Sequence, residues 1–240
     1  MGHEFELPQE ALVEASPEEV WAAISTGPGI DSWFMGRNEV AQGVVSTAFG
    51  GMDLPASTVT AAEPQRRFAH TSGTAEDGRF VAYEFLIEGR DQASTTVRMV
   101  TSGFLPGDDW ETEFEAMTGG LALFFATLVA YLDHFAGRTA TPLTEFGPPV
   151  TDWPRAWETL YAELGHPSVG DKVRFAPDGL APVEGVVYHI GAQTLGVRSG
   201  DALYRILQGM GGMMIASHHL FGDTGDQGPA WQAWLQRLYG

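Results

Sequence analysis

The chain contains no cysteine, which excludes disulfides, thiolate metal sites and a cysteine nucleophile. Positive charge is scarce as well: 13 Lys and Arg stand against 31 Asp and Glu in 240 residues, a formal net charge of -18. A surface so acidic repels nucleic-acid phosphates and anionic lipid headgroups, so neither a nucleic acid nor a membrane is expected as a partner. Long hydrophobic runs are missing too. The most apolar stretch, Leu121 to Leu132, falls short of the roughly 20 residues that a membrane-spanning helix needs and reads as a buried helix. The opening residues MGHEFELPQE have neither a basic n-region nor an apolar h-region, which predicts no secretory signal and a cytoplasmic location. What is present is an apolar content of 44%, ordinary for a globular protein, in a chain long enough for one large domain or two small ones.

The segment Leu12 to Phe34 carries the densest local information. Phe5 to Glu14 alternates apolar and polar residues as a half-buried strand does. Ser16 then stands at an N-cap position with Pro17 first in the helix, and Glu19 three residues on completes a capping box. Val20, Trp21 and Ile24 share one face of this short helix, Gly27, Pro28 and Gly29 end it, and Ile30, Trp33 and Phe34 follow at helical spacing. Strand character recurs at 44–49, 57–62, 66–71, 79–88 and 95–102, with turn residues between, among them the hairpin signal Asp77-Gly78. Such a meander needs a cover for its apolar face. Residues 108–135 supply one, a long amphipathic helix bearing Phe114, Met117, Leu121, Phe125, Leu128, Leu132 and Phe135. Its internal Gly119-Gly120 pair predicts close packing against the sheet; a kink that opens a cavity is the alternative.

Past Gly137 the residues 138–152 are rich in Pro and Thr and read as a linker or strap. A helix at 154–164, strands at 172–176, 183–190, 194–198, 203–208 and 213–218, and a last helix at 229–239 complete the chain. MVTSGFLPGDDW (99–110) and IASHHLFGDTGDQGPAW (215–231) both run strand, glycine loop, helix, which suggests a degenerate second copy shortened by loss of its first strand.

The run EASPEEVWAAIS, the turn into DSWF, the meander, the strand-end SGF and the long helix resemble the START-like, or SRPBCC, superfamily. The similarity is greatest to its branch of activators of the heat-shock-protein-90 ATPase, and it covers about Phe5 to Gly137. The resemblance implies an α+β helix-grip fold, an antiparallel sheet curved around a long C-terminal helix, in residues 1–137. A smaller α+β domain in 153–240 would be the truncated second copy. It further implies a deep apolar cavity between sheet and helix that binds a hydrophobic small molecule without catalysis. Trp33 and Phe34 would stand at its mouth and Phe114, Met117, Leu121 and Phe125 on the helix, and strand alternation adds Tyr83 and Phe85 on the sheet. The alternatives are a protein-interaction module that binds a chaperone and an enzyme similar to aromatase/cyclases.

Catalytic signals are sparse. The chain has no GxSxG elbow and no GxGxxG between a strand and a helix. Adjacent strand residues His218 and His219 point to opposite faces, poor geometry for one metal even with His189 nearby. Glu84 and Glu88 could pair with His70 or Arg98, but alternation places Val81, Tyr83, Phe85 and Ile87 on the cavity face and the two glutamates on the other. The enzyme reading therefore rests on Tyr83 and His70. No cofactor and no oligomeric state are specified by the residues.

Overall fold

The computed structural model describes residues 2–89, 94–108, 110–177, 179–209, 211–222 and 225–240. The chain divides into two compact units, Met1–Thr139 and Ala140–Gly240.

In the first unit, β1 (His3–Val13) leads into α1 (Pro17–Ser25) and α2 (Gly27–Ile30). Then come β2 (Arg37–Ala41), β3 (Val44–Phe49), β4 (Met52–Asp53), β5 (Ser57–Glu63), β6 (Arg67–Ser72), β7 (Phe80–Gly89) and β8 (Thr95–Leu105), closed by α3 (Trp110–His134). These strands make one eight-stranded antiparallel sheet in the order β1-β8-β7-β6-β5-β3-β2, with β4 paired to β3. The capping box forms as the residues require: Ser16 Oγ accepts from the Glu19 amide at 3.2 Å, and Glu19 Oε2 accepts from the Ser16 amide at 2.8 Å. The helix then buries Val20, Ala23 and Ile24 against β6, β7 and β8.

The Gly27-Pro28-Gly29 run does more than end α1. It begins α2, capped by Thr26, whose hydroxyl accepts from the Gly29 amide at 3.0 Å. A side chain at Gly29 would collide with the Ala22 carbonyl, and one at Gly27 with the Asn38 carbonyl. Glycine thus lets the second helix nest beneath the first and against β2.

Two expectations about the long helix need revision. Burial in α3 starts at Leu121; between Trp110 and Gly120 no residue is buried. The helix runs unbroken through Gly119-Gly120, and a Cβ at either would meet nothing within 4 Å. The glycines mark open space beside the helix and not the close packing expected of them. By length and composition α3 could cross a membrane, but half of that apolar stretch lies inside the fold, where α3 packs on β1 and β8.

The second unit comprises β9 (Thr141–Pro149), α4 (Trp153–Leu164), β10 (Lys172–Phe175), β11 (Val183–Gly191), β12 (Thr194–Arg198), β13 (Ala202–Gln208), β14 (Met213–Leu220) and α5 (Gly228–Tyr239). Its six-stranded sheet has the order β10-β11-β12-β13-β14-β9. The expected linker at 138–152 is therefore mostly strand, paired to β14 from Thr141↔Leu220 to Pro149↔Met213. Pro142, Pro148 and Pro149 obscure it in the sequence, and an edge strand tolerates them because no second neighbour needs their missing donors.

That strand also corrects the expected loss of a first strand. In each unit the first strand pairs with the last strand before the closing helix, β1 with β8 and β9 with β14, and the remaining strands form a meander. The second unit keeps the connection order and shortens the far end of the meander.

Candidate functional site

A cavity of about 350 Å³ lies within the first unit. The α1–α2 corner delivers one wall, Ile24, Ile30, Trp33, Phe34 and Met35; Val45 and Thr47 of β3, His70 and Ser72 of β6, and Val81, Tyr83 and Phe85 of β7 form the sheet side. Leu54, Pro55, Ala75 and Arg79, from the connections between strands, complete the rim.

The aromatic wall is held firmly. Trp33 is only 2% exposed; its indole Nε1 donates to the Ala23 carbonyl at 3.0 Å, and its ring meets Phe85 edge-on at 5.9 Å. It belongs to the wall and not to the mouth, where the sequence had placed it. Phe34 lies 5.3 Å from Trp33, 6.0 Å from Tyr83 and 4.8 Å from Phe124 of α3.

Phe34 thereby stands between the cavity and the middle of α3. This explains why the four expected helix residues are absent from the lining. Leu121 and Phe125 are buried in the core, Met117 is half-buried, and Phe114 packs edge-on against Phe5 and His3, each at 5.8 Å. The structure brings Trp33, Phe34, Tyr83 and Phe85 together at the cavity and leaves Phe114, Met117, Leu121 and Phe125 elsewhere along the helix.

Most polar groups on the lining are engaged by the protein. Asn38 donates its amide to Asp31 Oδ1 at 3.1 Å and accepts from Thr47 Oγ1 at 2.7 Å. Burial raises the Asp31 carboxyl, against the opposing hydrogen bonds of Asn38 and the charge of Arg37. Ser72 Oγ accepts from the Val81 amide at 3.0 Å. The Arg79 guanidinium donates to Glu113 of α3 and lies 3.8 Å from Asp77. Asn38 escaped the sequence reading because β2, a short polar strand, was not foreseen; Thr47 lies on the foreseen strand β3 but was not singled out. The burial of β2 alternates at 37–41, but Arg-Asn-Glu-Val-Ala carries no apolar alternation that would signal a strand.

His70 and Tyr83 differ from these. They face each other across β6 and β7, and their rings stack at 5.2 Å and 25°. Burial lowers the His70 imidazole from its ordinary 6.5 to about 4 and pushes the Tyr83 phenol from 10 up to about 12. His70 Nδ1 is buried with no hydrogen-bond partner. Glu84, by contrast, faces away and accepts from Arg67 Nε at 2.6 Å, while Glu88 is exposed.

In the second unit a cleft of about 740 Å³ lies between the end of α4 and strands β10 to β12, lined by Leu164, Val173, Glu184 and Arg198, whereas the space between the sheet and α5 is filled. Trp231, Trp234, Phe175 and Tyr204 fill that space, with His218 4.2 Å from Trp231. His218 Nδ1 accepts from the Arg205 amide at 3.2 Å, and burial lowers the imidazole to about 3, helped by the Arg205 charge. His189 pairs instead with Thr194 Oγ1 at 2.9 Å. Among the described residues no group of three His, Cys, Asp or Glu could hold a metal ion.

An antiparallel sheet whose first strand joins its last, a capped helix pair at one end and a long closing helix together define the first unit. This is the architecture of a helix-grip fold. No protein-family model and no curated protein matches the chain. Several solved structures are similar. The Aha1 dimer from Colwellia psychrerythraea is 21% identical over 54% of this chain and 96% of that one, with a TM-score of 0.43. DynU16, a putative protein of the dynemicin biosynthetic locus, is 19% identical over 90% and 86%, TM-score 0.45. The di-domain ARO/CYC BexL of the BE-7585A biosynthetic pathway is 13% identical over 91% and 85%, TM-score 0.45.

Proposed function

We propose that the protein binds a small, largely apolar molecule in the cavity of its helix-grip domain and performs no chemistry on it. The observation that carries this reading is the 350 Å³ hollow itself, walled by Trp33, Phe34, Tyr83 and Phe85. Its size falls at the lower end of the roughly 300–1,000 Å³ common for ligand sites. A ligand there gains about 25 cal/mol for each Å² of apolar surface removed from water. Catalysis is disfavoured by the two groups that would perform it. General acid–base work is most efficient with a group that titrates near the operating pH, whereas His70 is held near 4 and Tyr83 near 12. A module that works only by docking a protein has no need of such a hollow.

Titration with N-phenyl-1-naphthylamine, a neutral fluorescent probe that the acidic surface does not repel, tests the reading. One saturable site is expected, weakened at least about tenfold by Val81→Trp or Ser57→Trp, which plug the cavity from two strands. Unchanged binding in both folded variants would refute it.

A further inference from the structure

Three polar side chains on the lining, Ser57, His70 and Tyr83, make no hydrogen bond to a described residue. Asn38, Thr47 and Ser72 are spent on one another, on Asp31 and on backbone, and Arg79 is held by Glu113 and Asp77. Ser57, His70 and Tyr83 remain, and of these the two rings face each other. As directly opposed residues of an antiparallel pair they project from one face of the sheet, their rings stack at 5.2 Å, and both line the cavity.

The protonation of the pair follows from what surrounds it. His70 Nδ1 is buried against protein without a partner. A buried N–H left unpaired is rarer and more costly than a buried lone pair, so the proton sits on Nε2, the nitrogen that remains for the cavity. The Tyr83 hydroxyl makes no hydrogen bond to any described residue and stays protonated in its buried position. Both groups are then neutral donors, and both lack an acceptor.

We propose that His70 and Tyr83 form a two-donor clamp for the carbonyl oxygen of an otherwise apolar ligand, so that the cavity selects ketones, esters or quinones. This deepens the binding reading and rests on it. A carbonyl oxygen has two lone pairs and accepts from both donors at once, whereas a hydrocarbon leaves both donors unsatisfied in an apolar enclosure. A carboxylate fares no better, because the one cation on the rim, Arg79, is already neutralised by Glu113 and Asp77.

The test compares three fluorescent naphthalenes: prodan, which carries a ketone; 2-(dimethylamino)naphthalene, which lacks it; and 6-(dimethylamino)-2-naphthoic acid. Prodan is expected to bind at least about tenfold more tightly than either of the others. Tyr83→Phe and His70→Phe, which keep a ring at each position, should each bring prodan to within about twofold of 2-(dimethylamino)naphthalene. The infrared carbonyl stretch of bound prodan should lie at lower frequency in the wild type than in Tyr83→Phe. Equal binding of prodan and 2-(dimethylamino)naphthalene to the wild type, or a preference that survives in both variants, overturns the clamp and leaves the cavity reading standing. No binding of any probe overturns both.

Discussion

The two units share one order of connections and put opposite contents inside it. In the first, α3 has 25 residues, about 37 Å of helix, and the space under the α1–α2 corner is hollow. In the second, α5 has 12 residues, about 18 Å, and Trp231 and Trp234, both fully buried, plug the interior with Phe175 and Tyr204 around them. Topology therefore does not decide whether such a sheet becomes a container. The placement of large aromatic side chains does. In the first unit the rings lie in the walls, Trp33 pinned by its own N–H; in the second they point from the helix into the centre.

The sharpest separation of the two is expected in acid. A histidine whose folded value is depressed contributes stability that is complete above its unfolded value near 6.5 and is lost as pH falls, because the unfolded chain takes up the proton first. For His70 the loss runs from about pH 6.5 to about 4, roughly 3 kcal/mol; for His218 it continues to about 3 and reaches roughly 5 kcal/mol. Urea unfolding followed down to about pH 3 should show the second unit still losing stability below about pH 4, where the loss from His70 is complete, and His218→Gln, whose amide oxygen can still accept from the Arg205 amide, should flatten that dependence. A pH profile unaltered by the substitution would remove the contrast.

Next in size, Trp231→Ala should destabilise the second unit by about 3–5 kcal/mol, as large-to-small changes in filled cores do. The midpoint of its denaturation reports this directly. The smallest effect has the opposite sign. Gly119→Ala places its methyl group in open space within a continuous helix and should stabilise the first unit by about 1 kcal/mol, visible as a higher melting temperature. A loss would mean that the glycine pair is packed after all.

Much of this was legible from local chemistry. The Ser16–Glu19 box, the meander from Val44 onward and both long helices follow from caps, alternation and periodicity, each a property of neighbouring residues. The elements missed were those with weak local signals, polar Arg37–Ala41 and proline-laden Thr141–Pro149, which are strands because a partner pairs with them. Alternation puts Val81, Tyr83, Phe85 and Ile87 on one face of β7; the first three line the cavity, while Ile87 is buried outside it. Such alternation could not foresee that Phe34 would meet Phe124 and cut α3 off from the cavity, since that depends on how two distant elements approach. The partnerless state of His70 Nδ1 is likewise a property of the packed fold alone.

The glycine corner between α1 and α2 has a consequence for how the pocket could be reshaped, by selection or by design. Because a side chain at Gly27 or Gly29 would strike backbone, the corner and the Trp33 and Phe34 it delivers behave as a fixed jaw. The opposing residues, Val45, Thr47, Ser57 and Val81, sit on strands whose ladders do not depend on side-chain size. New ligand preferences would have to be written from the sheet side, one strand position at a time.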